Sequence, residues 1–260
     1  MNKQLSTWLG VFVALGLAAA AYGQSFSDDF SSGNDNAYTH YDPLGKLFAQ
    51  PWGTWTVSGG TYTLWAKPST LPSMIGPARL GSLVTGLDVA DFTAGIDLLS
   101  WSSTKNSPVA GLVARLGNIG LGSTTGYAML YDAAGQEVDI VRLTGEGSER
   151  TVASQSITFD PTHDYRLELT AVGQNFFGRV YDLANPGTPL AQLSGTDTAY
   201  ASGLVGPFIF DNSATGDGDV TATFDNLQVQ VVPEPCALAL MAGFGLMGFA
   251  LARRYANKRS

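Results

Sequence analysis

Cysteine is nearly absent, with one in 260 residues. That excludes an intramolecular disulfide and a cysteine-built zinc site. Histidine occurs only at His40 and His163, too few for multi-histidine metal chemistry. Charged residues make up 14% of the chain, well below the ~25% usual for soluble proteins. The charge is also segregated. All 22 acids fall between Asp28 and Glu234, while Lys3, Arg253, Arg254, Lys258 and Arg259 sit at the two extremes. Between those extremes 9 bases meet 22 acids, a formal −13. A body this acidic repels nucleic acid phosphates, which need a basic face, and an anionic membrane surface, so its charge is read as serving solubility. What the chain has in quantity is glycine (31 residues), aromatics (11%) and apolar residues (45%). These are enough for a packed core and exclude wholesale disorder.

The two ends read as sorting segments. Lys3 precedes an uncharged run from Trp8 to Ala21, and Ala21-Tyr22-Gly23 fits a small-x-small cleavage site. The run gives about 21 Å of helix, short of a ~30 Å hydrocarbon core. Residues 1–23 are therefore read as a signal peptide removed by signal peptidase, not as an anchor. At the other end Val232-Pro233-Glu234-Pro235-Cys236 leads into an apolar stretch, Ala237 to Ala252. Arg253, Arg254, Lys258 and Arg259 follow. The stretch gives about 24 Å of helix, which flanking arginines can extend by snorkelling. The basic end is expected to stay cytoplasmic. The prolines stop the preceding strand from running into the helix.

Pro233-Glu234-Pro235, the glycine-rich apolar span and the Arg253-Arg254 cluster, in that order at the end of the chain, resemble the PEP-CTERM sorting signal of Gram-negative bacteria. Cys236 departs from the pattern, where Ser, Thr or Ala is more usual. The resemblance covers residues 233–260. It implies transient anchoring in the inner membrane, recognition by an exosortase, and removal of the tail. It further implies delivery to the cell surface or the extracellular polysaccharide matrix.

Residues 24–232 read as strands throughout. Thr54–Val57, a Gly59-Gly60 turn and Thr61–Trp65 predict a hairpin. Tyr127–Tyr131, the Asp132-Ala133-Ala134-Gly135 turn and Val138–Leu143 predict a second, and the segments around the Gly173-Gln174-Asn175 turn a third. Phe92–Trp101 and Val109–Leu116 predict further strands. In Asp219–Val232 the apolar phase runs through Val220, Ala222 and Phe224, then shifts to Leu227, Val229 and Val231, which predicts a bulge at Asp225-Asn226. Turn signals recur at the spacing of a sandwich or barrel, with no internal linker, so one all-β domain is expected.

Several short pieces occur in an order that resembles a concanavalin A-like, LamG-type jelly roll. They are Phe26-Ser27-Asp28-Asp29-Phe30, Trp55-Thr56-Val57 with Gly59-Gly60 following, Tyr165-Arg166-Leu167-Glu168-Leu169, Gly203-Leu204-Val205-Gly206 and Phe224-Asp225-Asn226-Leu227-Gln228-Val229. The resemblance implies two stacked antiparallel sheets with the first and last strands adjacent. It does not settle function, because such folds host sugar-binding modules, glycosidases and adhesion modules alike.

Glu137-Val138-Asp139-Ile140-Val141-Arg142 is the nearest approach to a catalytic motif. Jelly-roll glycosidases of the laminarinase and lichenase type carry Glu-x-Asp-x-x-Glu on one strand, and a bulge brings the second Glu onto the face of the first. Retention needs two carboxyls about 5–5.5 Å apart. Arg142 stands where the second Glu belongs, and arginine cannot donate a proton at neutral pH. The alternative is an ordinary hairpin strand with Val138, Ile140 and the Arg142 stem packing on one face. Asp28, Asp29 and Asp225 are the candidate ligands of a structural calcium ion, if the terminal strands pair. Their other reading is as turn and strand-end carboxylates satisfying backbone N–H groups. Trp52, Trp65 and Trp101 are the candidates for stacking on sugar rings, against burial in the core. Trp55 is expected in the core, and His40 in a solvated polar loop. The expectation is an exported, non-catalytic β-sandwich with a structural or glycan-binding role, having extracellular polysaccharide as partner and no cofactor. The second reading is a secreted glycoside hydrolase or lyase.

Overall fold

The computed structural model describes residues 25–146 and 149–232. The expected signal helix, the short membrane span and the sorting residues Pro233, Glu234, Pro235, Arg253 and Arg254 lie outside them. No helix among the described residues is long and apolar enough to cross a membrane.

Two eight-stranded sheets stack face to face. In chain order the strands are β1 (Ser25–Asp28), β2 (Tyr38–Tyr41), β3 (Gly53–Ser58), β4 (Thr61–Ala66), β5 (Arg79–Val84), β6 (Asp88–Val89), β7 (Phe92–Ser102) and β8 (Pro108–Gly117). Then come β9 (Thr125–Asp132), β10 (Glu137–Thr144), β11 (Glu149–Ser156), β12 (Tyr165–Val172), β13 (Asn175–Asp182), β14 (Ala191–Thr196), β15 (Gly203–Asp211) and β16 (Val220–Val231). Sheet A runs β14-β13-β12-β7-β16-β4-β3, with β1 also paired to β16. Sheet B runs β11-β10-β9-β8-β15-β5-β2, with β6 also paired to β15. Two short helices, α1 (Pro43–Phe48) and α2 (Pro72–Ile75), lie in connections. Asp42 caps α1, accepting from Gly45 N at 2.7 Å.

The three expected hairpins form. At the β3–β4 turn Gly59 and Gly60 have φ of +62° and +79°. Both central residues of a type I′ turn need that region, and glycine enters it without steric cost. The first and last strands are neighbours, Ser25 opposite Gln230 through Asp28 opposite Leu227. The phase shift in β16 is real. Val220, Ala222 and Phe224 are buried, then Leu227 and Val229, with Asn226 between them in the left-handed region at φ +49°. The shift also divides the strand between partners: residues before it pair with β4, residues after it with β1.

The alternation in β4, β12 and β13 buries every second side chain against sheet B. Tyr62, Leu64, Phe92, Ile96, Leu98, Phe176 and Phe224 are fully buried there. A β-carbon on Gly178 of β13 would meet Ile140 Cδ1 and Met129 Cε at 3.2 Å, so the even-numbered residues of β10 face sheet A. The outer face of sheet B is also largely apolar. Val109, Val113, Ala128, Leu130, Val141 and Phe208 form a buried cluster there with Tyr41, Leu83 and Leu116, against which Ile119 and Leu143 pack. Glu146 fastens the connections over this cluster. It accepts from the Tyr41 hydroxyl, from Arg79 Nε at 2.8 Å and from Gly122 N at 2.6 Å.

Candidate functional site

Registry between strands places the candidate site on the outer face of sheet B, over one end of the apolar cluster. Strand β10 projects Glu137, Asp139 and Val141 outward. Across β9 these sit opposite Asp132, Leu130 and Ala128, and across β8 Val109 sits opposite Asp132. Phe210 of β15 follows, opposite Val109, and Ser154 of β11 lies opposite Asp139. The result is a cleft of about 170 Å³ with an apolar floor of Val109, Leu130, Val141 and Phe210. Asp132, Glu137, Asp139 and Glu149 form its acidic wall, and among the described residues no cationic side chain lines it.

The carboxylates are not equivalent. Asp132 is fully engaged: Oδ1 accepts from Ala134 N and Gly135 N, and Oδ2 from Asn212 Nδ2 at 2.7 Å. Glu137 accepts from the Ser154 hydroxyl at 3.1 Å. Burial pushes the Asp139 carboxyl up, and the charges of Glu137 and Asp132 add to this. Partial desolvation, then the charges of Asp139 and Asp132, push Glu149 up as well, although the residue is largely exposed at the end of β11. A wall of acceptors above an apolar floor can take hydroxyl donors on one side and a C–H face on the other.

Arg142 does not reach this face. Pairing of β10 with β9 is regular, so alternation turns Arg142 toward sheet A. There its Nη1 lies 2.8 Å from Asp197 Oδ2, and Tyr127 donates to Asp197 Oδ1 at 2.7 Å. The register does shift between Ile140 and Val141, but only against β11, where residue 152 is the extra one. The hairpin-strand reading of this segment, with Val138, Ile140 and Arg142 on one face, matches the structure. The sequence reading missed Glu149, Asn212 and Phe210, which come from three other strands and loops. Asp132 was within reach, because the expected hairpin sets it opposite Glu137.

The three tryptophans proposed for sugar stacking are not brought to this cleft. Trp52 is 8% exposed, with its ring against Phe48 at 4.5 Å. Trp65 is half-buried and donates to Asp219 Oδ2 at 3.2 Å. Trp101 meets Tyr131, Phe159 and Tyr165 edge-on at 5.5–6.1 Å. Trp55, expected in the core, is half-buried. It donates to Gly81 O and stacks on His40 at 4.0 Å.

The calcium expectation needs correction. Asp28, Asp29 and Asp225 do approach one another, since burial and then the charges of Asp97, Asp29 and Asp28 push Asp225 up. Their oxygens are turned to other uses, however. Asp28 accepts from Phe30 N and the Tyr38 hydroxyl, Asp29 from Ser31 N and Oγ, and Asp225 from Asn226 N. Among the described residues no group of three or more histidine, cysteine or acidic side chains is placed to hold a metal ion. These are the turn and strand-end carboxylates of the alternative reading.

No family model and no curated protein matches the chain. Solved structures do. Carbohydrate binding module CBM66 from Bacillus subtilis superposes with a TM-score of 0.53 at 17% identity, covering 76% of this chain and 97% of its own. A prokaryotic β-1,3-1,4-glucanase (lichenase) from a mouse hindgut metagenome gives 0.52 at 12%, covering 80% and 99%. Lectin UEA-II, solved with galactose, gives 0.51 at 13%, covering 80% and 98%. The chain has the concanavalin A-like, lectin-type jelly-roll fold, an all-β antiparallel sandwich of two sheets. That fold carries binding modules, lectins and glucanases, so the likeness does not choose among them.

Proposed function

We propose that this is an exported, non-catalytic cell-surface or matrix protein that binds glycan in the cleft on the outer face of sheet B. Export rests on the signal-peptide pattern of residues 1–23 and the PEP-CTERM pattern of residues 233–260. In that reading signal peptidase and an exosortase process the chain, and residues 24–232 reach the surface. The observation that carries glycan binding is the cleft itself, with its apolar floor and its wall of acceptors. A non-catalytic role is supported by β10, whose next outward residue after Glu137 and Asp139 is Val141, while Arg142 is committed to Asp197.

A second reading, hydrolysis of a glycosidic bond, is favoured by one observation. Glu149 brings another carboxyl into the cleft from the neighbouring strand, and its proton, like that of Asp139, is held more tightly than usual. Such a carboxyl suits a general acid. Reducing-end assays on soluble β-glucans separate the two readings. Binding without new reducing ends supports the module. Release that disappears in Glu137→Gln and in Glu149→Gln supports the enzyme.

A further inference from the structure

The opposite face of the sandwich carries an arrangement that the cleft does not use. On the outer side of sheet A, Ser25 sits opposite Gln230 and Ser27 opposite Gln228. Thr93 of β7 lies in one row with Thr170 of β12 and Phe177 of β13, and Gly95 in the next with Glu168 and Arg179. Gly95 has no side chain, and a trough of about 350 Å³ opens around it, bordered by Thr93, Arg166, Glu168, Gln228 and Gln230.

The Arg166 guanidinium lies across Gly95, where an added β-carbon would stand 2.6 Å from its Nη2. It is fixed by Asp97 Oδ1 at 2.7 Å, Gln228 Oε1 at 3.1 Å and Asn226 O at 3.3 Å. The charges cancel locally, Arg166 against Asp97 and Glu168 against Arg179 at 2.9 Å. The groups left over are neutral. The Gln230 amide and the Ser25 and Ser27 hydroxyls make no side-chain hydrogen bond among the described residues, and the Gln228 amide nitrogen is likewise unused. Two strands from Thr93 in the same row, Phe177 presents its ring on a paired strand at 43% exposure.

Neutral donors and acceptors beside a fixed aromatic ring match a hydroxylated ring with an apolar C–H face. An anion meets Glu168 and Asp97, and a cation meets Arg166 and Arg179, so a charged ligand gains little. From β13 to β1 is four strand spacings, about 19 Å, longer than one sugar. We propose that the outer face of sheet A is a second glycan-binding surface, which takes an uncharged polysaccharide chain laid across the strands from Phe177 to Ser25. This goes beyond the cleft on sheet B, and with both surfaces the protein can join two polymer chains.

Affinity electrophoresis of the purified protein tests this in gels containing dextran, β-1,3-glucan, galactan or mannan, with alginate and chitosan as charged probes. At least one uncharged polymer is expected to retard the protein. Phe177→Ala should weaken that retardation about two- to thirteenfold, from the ~0.5–1.5 kcal/mol typical of a ring contact. Gln228→Ala with Gln230→Ala should weaken it as well, while Asp139→Asn leaves this component in place. Phe177 is exposed, so an unchanged melting temperature is the folding control. Retardation lost in Asp139→Asn but unaltered in Phe177→Ala overturns the proposal and leaves the cleft reading standing. Retardation lost in Phe177→Ala but unaltered in Asp139→Asn supports the proposal and sinks the cleft reading. Absence of retardation by every uncharged polymer, or retardation by the charged ones alone, also overturns it.

Discussion

Replacing Glu146 by alanine removes the carboxylate that fastens the connections over the outer cluster of sheet B. The Arg79 and Glu146 side chains are 6% and 4% exposed, with Nε and Oε1 2.8 Å apart. The same carboxylate also accepts from the Tyr41 hydroxyl and from Gly122 N. Alanine leaves the guanidinium buried with only Ile75 O and Pro77 O as acceptors. Breaking one side of a buried pair costs about 3–5 kcal/mol, out of a total near 5–15 kcal/mol. For a domain of this size each kcal/mol moves the melting temperature by about 2–4 °C, so the expected drop is about 6–20 °C. Replacing both partners, Arg79→Met with Glu146→Leu, leaves no uncompensated charge and should recover most of it. Calorimetry on the four proteins of this cycle gives the coupling. A Glu146→Ala protein that melts within about 2 °C of the parent, or a double variant no better than the single, refutes the ion pair as a fastening.

Other substitutions follow from the same geometry. Phe224→Ala empties a fully buried site in β16 and should cost about 3–5 kcal/mol in denaturant titration. A chain cut to 24–218 loses β16 entirely and should aggregate or lose its thermal transition, whereas 24–232 should melt cooperatively. At Asn226, held at φ +49° with its amide donating to Asp97 at 2.9 Å, Val should destabilise by more than about 1 kcal/mol and Gly by less, as read by thermal melts. Asp139 has a raised pKa, so its protonated form favours the fold. That contribution is full below the ordinary carboxylate range and is lost as pH rises through the raised value. Asp139→Asn should therefore raise the melting temperature at pH 7 and change it little near pH 3. Intact-mass measurement of the secreted protein should show loss of residues 1–23 and of the tail from near Pro233.

The strands that alternate cleanly could be read from the sequence because one face of each meets the other sheet and the opposite face meets water. That holds for β4, β12, β13 and β16, and the shift at Asp225-Asn226 was visible for the same reason. Of the strands without alternation, β8 and β9 were legible as apolar runs bounded by turns, whereas β5, β11 and β15 were hidden. All of β5 is buried on both faces, so its period vanishes. An edge position leaves β11 mostly polar, so it resembles a loop. β15 carries Pro207 and two glycines, which argue against a central strand, although its pairing with β5 begins only at Phe208. The candidate site was half legible for a related reason. Glu137 and Asp139 share one strand face and declare themselves, while Glu149, Phe210 and Asn212 join them only through registry across other strands. Where the tryptophans lie was not legible, because composition identifies flat rings but not the neighbours they take: Phe48 for Trp52, Asp219 for Trp65 and Phe159 for Trp101. The acidic triad misled because three aspartates from adjacent strands come close without aiming their oxygens at one point.

The most direct test of the account is two-dimensional NMR of the isotope-labelled protein, titrated with a soluble uncharged glucan while reducing ends are assayed in the same tube. Saturable shifts are expected at the backbone amides of Asp132, Glu137, Asp139 and Ser154, abolished in Asp139→Asn, with no reducing ends formed. Reducing ends that accumulate in the parent and not in Glu137→Gln, or saturable shifts that leave all four of these amides unmoved, would contradict that expectation.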